Sequence, residues 1–384
     1  LRDCDAIVHE LAGWSVLAVL EADAESALEP VAVVQPTLAC VQIALTAQLR
    51  AWGIAPAAAV GHSMGEVAAA YAAGALTLGD ALRVIVVRSR LLGEIAGAGA
   101  MALVDLDEAT AAEVVAGTAG RVSVASINGP RSTILSGDPG DVDAVLSRLD
   151  GEGIFCRRVK VDVASHSAQT DVLLPRLAAE LASIAPRRPE IPFYSTARPD
   201  APTDLLLDAG YWVDNLRRPV QLMAAVRRMM ADSVDTFVEV APHPVLLTSL
   251  ADIGSDAGAE ARTLASLRRA APERRRLLEL VARLHVDGVP VDWRAVSPGG
   301  RTVRLPAYPW QKERFWLEQW EDWSGDGSGA TMAAPRPERA EDCAYVVSWR
   351  PEPPAPADAA GQWLVIGSGA TADELARRIR QDGA

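Results

Sequence analysis

The stretch Gly61-His62-Ser63-Met64-Gly65-Glu66 decides how the chain is read. Before it runs Pro56–Val60, short and apolar enough for a buried strand, and after it the alanine-rich Val67–Ala73, which suits a helix. A serine centred in G-x-S-x-G at a strand-to-helix turn is a nucleophile elbow. Glycines on both sides of Ser63 let the turn tighten and let strand and helix pack closely. The hydroxyl then stands at a helix N-terminus, where free N–H groups favour developing negative charge. The backbone N–H of Met64 is the natural first donor to an oxyanion.

A serine nucleophile needs a base, and the chain has five histidines, His9, His62, His166, His243 and His285. His62 adjoins Ser63, so its side chain should point away. His9 and His285 fall in helical patterns and read as surface or packing residues, and His243, between two prolines, reads as structural. His166 closes Val161-Asp-Val-Ala-Ser-His166, at a junction between domains, where sites gather their residues. On its own it fits catalysis and structure equally.

The rest of the chain supplies the frame. Leu38–Trp52 and Leu78–Ile95 read as helices, the second carrying Arg83, Arg88 and Arg90. Then the rhythm changes. Met101–Leu106 (strand), Glu108–Ala116 (helix), Val122–Ile127 and Ser132–Leu135 (strands about the turn Asn128-Gly129-Pro130), Asp141–Leu149 (helix) and Cys156–Val163 (strand) give the order β-α-β-β-α-β. That is the ferredoxin-like order, and it reads as a small domain inserted in a larger one. Helices and short strands resume from Leu173, with Thr236–Val240 a strand. Ser324–Ala340, rich in Gly, Pro and Ala, reads as a linker. Beyond it Tyr345–Trp349 and Trp363–Ile366 read as strands and a helix starts near Ala372.

Composition narrows the function. With 37 basic against 50 acidic residues the net charge is −13, so nucleic acid is not an expected partner. Four scattered cysteines, Cys4, Cys40, Cys156 and Cys343, form neither a disulfide framework nor a zinc site, which fits a reducing, cytoplasmic setting. No metal is expected. No apolar run reads as long enough to span a membrane, and the first residues are no signal peptide.

Taken together, GHSMGE, the arginine 25 positions after Ser63 (Arg88) and the SHSAQ histidine 103 positions after it (His166) resemble the acyltransferase domain of type I modular polyketide synthases. That domain is related to malonyl-CoA:acyl-carrier-protein transacylase. Tyr211-Trp-Val-Asp-Asn-Leu-Arg-Arg-Pro219 and Glu239-Val-Ala-Pro-His-Pro-Val-Leu246 agree with it. LPAYPWQKERFW at 305–316 resembles its following linker, and Val346-Val-Ser-Trp-Arg-Pro351 with Gln362-Trp-Leu-Val-Ile366 resembles the opening of a ketoreductase structural subdomain.

The resemblance implies an α/β fold, an α/β-hydrolase-like large subdomain with a ferredoxin-like small one. It places the acyltransferase at 1–300 with the insertion at about 99–163, the post-acyltransferase linker at 301–323, a flexible linker at 324–341 and the ketoreductase start at 342–384. It implies ping-pong transfer of a malonyl or methylmalonyl group from acyl-CoA, through an acyl-serine, to the phosphopantetheine of an acyl-carrier protein. Ketosynthase and ketoreductase domains of the same synthase are the other implied partners. Ser63 would be the nucleophile and His166 the base, oriented by a backbone carbonyl instead of an acid. Arg88 would hold the substrate carboxylate, a task that suits a guanidinium.

Specificity would rest on Met64, Val163 and Ser165. The family's methylmalonyl-selective members read YASH with GHSQG, and its malonyl-selective members read HAFH. Here the small Ser165 leaves room for an α-methyl, while Val163 and Met64 match neither pattern, so the α-substituent stays open. The family also opens with a strand and a G-Q-G-x-Q loop that completes the oxyanion hole. Nothing like it precedes Leu1, so the chain is expected to lack that strand, and one missing oxyanion donor costs about 10²–10³ in rate. Gly367-Ser-Gly369-Ala-Thr-Ala372 mimics a dinucleotide fingerprint, but no bound cofactor is expected.

Two other readings compete. A serine hydrolase or thioesterase of α/β-hydrolase type needs the order Ser…acid…His, and Asp105, Asp107, Asp138 and Asp162 lie between Ser63 and His166. The other is an inactive, truncated megasynthase fragment serving as an interaction module.

Overall fold

A computed structural model describes residues 1–22 and 25–299, and beyond them Arg304, Pro306, Glu374 and Arg377. The chain divides into two units, Leu1–Val303 and Arg304–Ala384. In the second, Arg377 and Glu374 form an ion pair one helical turn apart. Apart from those four residues, the linkers and the ketoreductase start, with the mock dinucleotide fingerprint, lie outside the described residues. The first unit is a large subdomain with a small one inserted.

The large subdomain opens with helices α1 (Arg2–Ala12), α2 (Val16–Glu21) and α3 (Val31–Ala51). It continues through strand β1 (Ala59–Val60) into α4 (Gly65–Ala72) and α5 (Leu78–Gly93). α5 is buried on nearly every side, from Ala81 through Leu92, because α1, α3 and α4 all pack on it. Thr77 caps its first turn by accepting from the Asp80 amide (3.1 Å), satisfying a donor the helix cannot.

α3 corrects two expectations. It starts seven residues before Leu38, running through Pro36 and forgoing the bond a proline cannot donate. It is also long and apolar enough, by length and composition, to cross a membrane, although no run in the sequence reads that way. In the fold it is a core helix that buries Thr37, Ala39, Cys40 and Ile43.

The insertion is β2 (Ala100–Val104), α6 (Glu108–Ala116), β3 (Val122–Gly129), β4 (Ser132–Gly137), α7 (Pro139–Gly151) and β5 (Cys156–Arg158). Its antiparallel sheet has the order β3-β4-β2-β5, the ferredoxin-like arrangement. Alternate residues Ala100, Ala102 and Val104 face Val142 and Leu149 of α7 in a separate small core. The β3–β4 turn falls at Pro130-Arg131 instead of Asn128–Pro130, since β3 pairs through Gly129. The last strand stops at Arg158, not Val163. After Val159 bonds Met101, the Val161 amide turns back to the Val159 carbonyl (2.9 Å), ending the ladder and leaving Val161 exposed.

The large subdomain resumes with α8 (Leu174–Glu180), β6 (Phe193–Tyr194), α9 (Ala209–Arg217) and α10 (Leu222–Ala231). It closes with β7 (Thr236–Glu239), α11 (Leu247–Asp256), β8 (Arg262–Ala265), α12 (Glu273–Val286) and α13 (Trp293–Val296). β1 pairs with β6 and β7 with β8, both in parallel, with helices around them. β1 is shorter than the expected Pro56–Val60. Its pairing starts where the Ala59 amide reaches the Pro192 carbonyl (2.9 Å).

Main-chain hydrogen bonds join the two subdomains at two places. Where the chain enters and leaves the insertion, the amides of Gly97 (2.8 Å) and Gly99 (3.3 Å) both donate to the Asp162 carbonyl. At the far side β3 bonds the segment after α9, with Ile127 N–H to the Val220 carbonyl and Val220 N–H to the Ala125 carbonyl, both 2.9 Å.

Candidate active site

Ser63 sits between β1 and α4 with φ 52°, in the left-handed region that a non-glycine residue enters only when its surroundings hold it there. Gly61 makes the turn possible, because a Cβ there would lie 2.3 Å from the Glu66 amide nitrogen. Gly65 behaves otherwise, since a Cβ there would meet nothing within 4 Å. The second glycine of the motif is therefore not needed for strand–helix packing, contrary to the expectation for both. Gly61→Ala is expected to destabilise the domain by about 1–3 kcal/mol or more, and Gly65→Ala, at a helical position with room for a Cβ, to be neutral or stabilising by up to about 1 kcal/mol. Thermal melts of the two variants check this, and equal losses would contradict it.

His166 comes from the loop after the insertion, with φ 60° and 3% exposure. Its position depends on Gly99, where a Cβ would come within 2.1 Å of the Ala164 nitrogen. Its Nε2 lies 2.7 Å from Ser63 Oγ, and its Nδ1 is 2.8 Å from the Arg218 carbonyl oxygen. That carbonyl can only accept, so Nδ1 carries the proton and Nε2 is left to accept from the serine hydroxyl. Of the carboxylates a hydrolase triad could recruit, none lies on Nδ1. Asp105 pairs with Arg131, Asp107 caps α6, Asp138 caps α7, and Asp162 is exposed.

Arg88 projects from the middle of α5, 1% exposed. Its Nη2 donates to Ser63 Oγ (3.0 Å) and its Nη1 to Gln35 Oε1 on α3 (2.7 Å). Its buried Nε has no partner among the described residues. Burial lowers its pKa to about 10, opposed by the charge of Glu66, so it remains a cation at neutral pH. The serine hydroxyl is thus placed to give its proton to a base while accepting from a fixed cation.

Met64 is half-buried against the large-subdomain core, and its N–H has no acceptor among the described residues, as an oxyanion donor requires. Val163 and Ser165, two of the residues expected to set specificity, are buried at 5% and 7% exposure. His62 points away from Ser63, with Nε2 on Asn128 Oδ1 (2.7 Å) and Ser126 Oγ (3.1 Å) of β3. His9 and His285 are exposed, His285 edge-on to Trp293, and His243 accepts from the Arg269 amide (3.2 Å). Among the described residues no group of His, Cys, Asp and Glu could hold a metal.

The sequence reading gave no role to two members of the site, Gln35 on α3 and Asn215, which donates to the Ser63 carbonyl (3.1 Å) from within the Tyr211–Pro219 motif. The backbone carbonyl expected to orient the histidine is that of Arg218, a main-chain atom that no residue type marks.

The charge state of His166 follows from its place. Burial, then Arg88, then His62 push its pKa down to about 3, with only the Arg218 carbonyl opposing. Because the folded value lies below that of the unfolded chain, the imidazole stays neutral as pH falls through 6.5. Protonation then favours the unfolded state, so stability is lost below that point. Acylation of Ser63 is expected to show no break near pH 6.5 and to fail at lower pH together with unfolding. A pH–rate profile beside circular dichroism tests this, and a clean limb at 6.5 in folded protein would contradict it.

Comparison with known proteins decides the family, since the model of the acyl transferase domain matches residues 1–291. The chain belongs to the acyl transferase domain family. The acyltransferase is 40% identical over 370 residues to erythronolide synthase EryA2 of Saccharopolyspora erythraea, a match covering 95% of the chain but 10% of that synthase. It is 39% identical to the acyltransferase domain from module 8 of the salinomycin polyketide synthase, with TM-score 0.74 over 77% of this chain and 70% of that one. It is 27% identical, with TM-score 0.69 over 75% of this chain and 69% of the other, to the acyl transferase domain of SpnD, solved with 2-(pent-4-yn-1-yl)malonyl. The shared fold is the large α/β-hydrolase-like subdomain with its small ferredoxin-like insertion, and the enzyme is a transferase of the polyketide synthase class.

Proposed function

We propose that the acyltransferase moves a malonyl-type group, malonyl or methylmalonyl, from coenzyme A to the phosphopantetheine thiol of an acyl-carrier protein during polyketide assembly. The observation that carries this reading is Ser63 Oγ held between His166 Nε2 at 2.7 Å and Arg88 Nη2 at 3.0 Å. Ser63 Oγ attacks the thioester carbonyl as its proton passes to His166 Nε2, and the Met64 amide donates to the oxyanion. The carbon–sulfur bond breaks, the coenzyme thiolate takes the proton from His166, and Ser63 carries the acyl ester. The carrier thiol then gives its proton to His166 and attacks the ester, and the proton returns to Ser63. No resident cofactor takes part.

Arg88 binds the free carboxylate through its fork of N–H donors. The malonyl-class ligand of the related SpnD domain supports a dicarboxylic substrate. Met64, Val163 and Ser165 set the α-substituent, and the small Ser165 admits a methyl group. A methyl in a pocket is worth about 1–3 kcal/mol, so selectivity between the two extenders is graded. The ketosynthase and ketoreductase domains of the same synthase are the proposed neighbours.

The test is the intact mass after brief mixing with malonyl-CoA or methylmalonyl-CoA, with Ser63→Ala as the blank. A Ser63-dependent gain is expected, and its extent with each donor ranks the extenders. Quick release of free acid with no carrier protein present would favour a hydrolase instead.

A further inference from the structure

Ser63 and His166 come from chain segments 103 residues apart, and neither segment alone fixes the gap between them. One element touches both. From α9, Asn215 Nδ2 donates to the Ser63 carbonyl (3.1 Å) and the Leu216 carbonyl accepts from the His166 amide (3.2 Å). Just past its end the Arg218 carbonyl accepts from His166 Nδ1 (2.8 Å). The separation of nucleophile and base is therefore set by where α9 lies relative to the elbow.

A single carboxylate fixes that relation. Glu66, three residues after Ser63, is 0% exposed. Its Oε2 accepts from the Tyr211 hydroxyl and from Asn215 Nδ2 (2.8 Å), both on α9. Its Oε1 accepts from the Thr196 amide and lies 2.9 Å from the Thr196 hydroxyl. Because Tyr211 gives its proton to Glu66, its oxygen accepts from Ser195 Oγ (2.8 Å). A carboxylate removed from water in this way is stable only while such donors stay aimed at it. They therefore lock one another in place. Trp212, the next residue of α9 and buried, lies edge-on to Tyr211 with ring centroids 5.2 Å apart.

We propose that Glu66 is a positioning residue for the Ser63–His166 pair, clamping Tyr211 and Asn215 of α9 to the elbow and thereby holding nucleophile and base within hydrogen-bond distance. This rests on Ser63 and His166 acting together, as under Proposed function, but not on the identity of the acyl donor. Gln in place of Glu66 keeps the size but turns an N–H₂ group toward donors, so one side of the clamp opens. A displacement of the base by about 1 Å costs roughly 10²-fold in rate.

The test measures Ser63 labelling by a fluorophosphonate, together with malonyl-CoA steady-state kinetics, for wild type, Glu66→Gln and Tyr211→Phe, with Ser63→Ala as blank. Glu66→Gln is expected to label about 10²-fold more slowly with KM for malonyl-CoA changed less than about threefold. Tyr211→Phe, which deletes one hydroxyl, is expected to fall several-fold in the same sense. A pH profile separates positioning from bulk stability. Burial, then the nearby Arg88 cation, keep the imidazole neutral, so a base displaced away from Arg88 should show an acid limb at higher pH than wild type in the folded variant.

Labelling within twofold of wild type in folded Glu66→Gln overturns the proposal. So does unaltered labelling in Tyr211→Phe, which decides the matter if Glu66→Gln does not fold. A wild type that labels at Ser63 but gains no mass from malonyl-CoA or methylmalonyl-CoA refutes the acyl donor and leaves the clamp standing. A wild type inert to the reagent refutes both.

Discussion

His166→Ala is expected to slow acylation of Ser63 by about 10²–10⁴-fold while KM for the acyl-CoA stays within a few-fold. The reason is local. Among the described residues Ser63 Oγ has two polar side-chain partners, His166 Nε2 and Arg88 Nη2, and the second is a donor that cannot take a proton. Without the imidazole the hydroxyl has no side-chain acceptor among the described residues, and the Arg218 carbonyl loses the N–H it orients. Rapid-mixing intact mass separates this from weaker binding, because a base that holds no substrate changes the rate of acylation and not its saturation. Wild-type acylation in the variant would remove His166 from the chemistry. Partial rescue by added imidazole is the positive outcome.

Arg88→Ala is expected to lower kcat/KM for malonyl-CoA by roughly 10²-fold or more, since two hydrogen bonds to a charged group contribute about 1.5–3 kcal/mol each. Acetyl-CoA, with no carboxylate to hold, should lose far less. Equal loss on both donors would sink the carboxylate role. The same substitution removes one of the influences holding His166 neutral, so the acid limb of the variant should move up toward 6.5. A structural role for Arg88 predicts neither the substrate split nor the shifted limb.

The sequence exposes the ends of this machinery better than its middle. Ser63 is legible because the turn demands Gly61, whose missing Cβ leaves room for the Glu66 backbone. The β-α-β-β-α-β insertion is legible because alternation and helical periodicity differ over 100–158. What holds Ser63 to His166 is not legible. Glu66, Tyr211 and Asn215 are up to 149 positions apart, and a buried carboxylate looks in sequence like any first-turn acid of a helix. The histidine's orienting group is a main-chain carbonyl, so no residue type marks it. The over-long final strand failed for a related reason. Alternating Val159, Val161 and Val163 satisfy the strand pattern, but the chain must turn there to meet Gly97 and Gly99.

The bond between β3 and Val220 has a consequence for anyone building chimeric synthases. Val220 lies two residues after the carbonyl that sets the tautomer of His166, so an insertion transplanted at the obvious cut points, near Gly99 and Val163, brings a foreign Ala125–Ile127 edge against that segment. A graft chosen only for its substrate-lining residues would then mis-set the base without touching it. Donor and recipient should be matched along that edge first, and Val220 travels best with the strand it pairs.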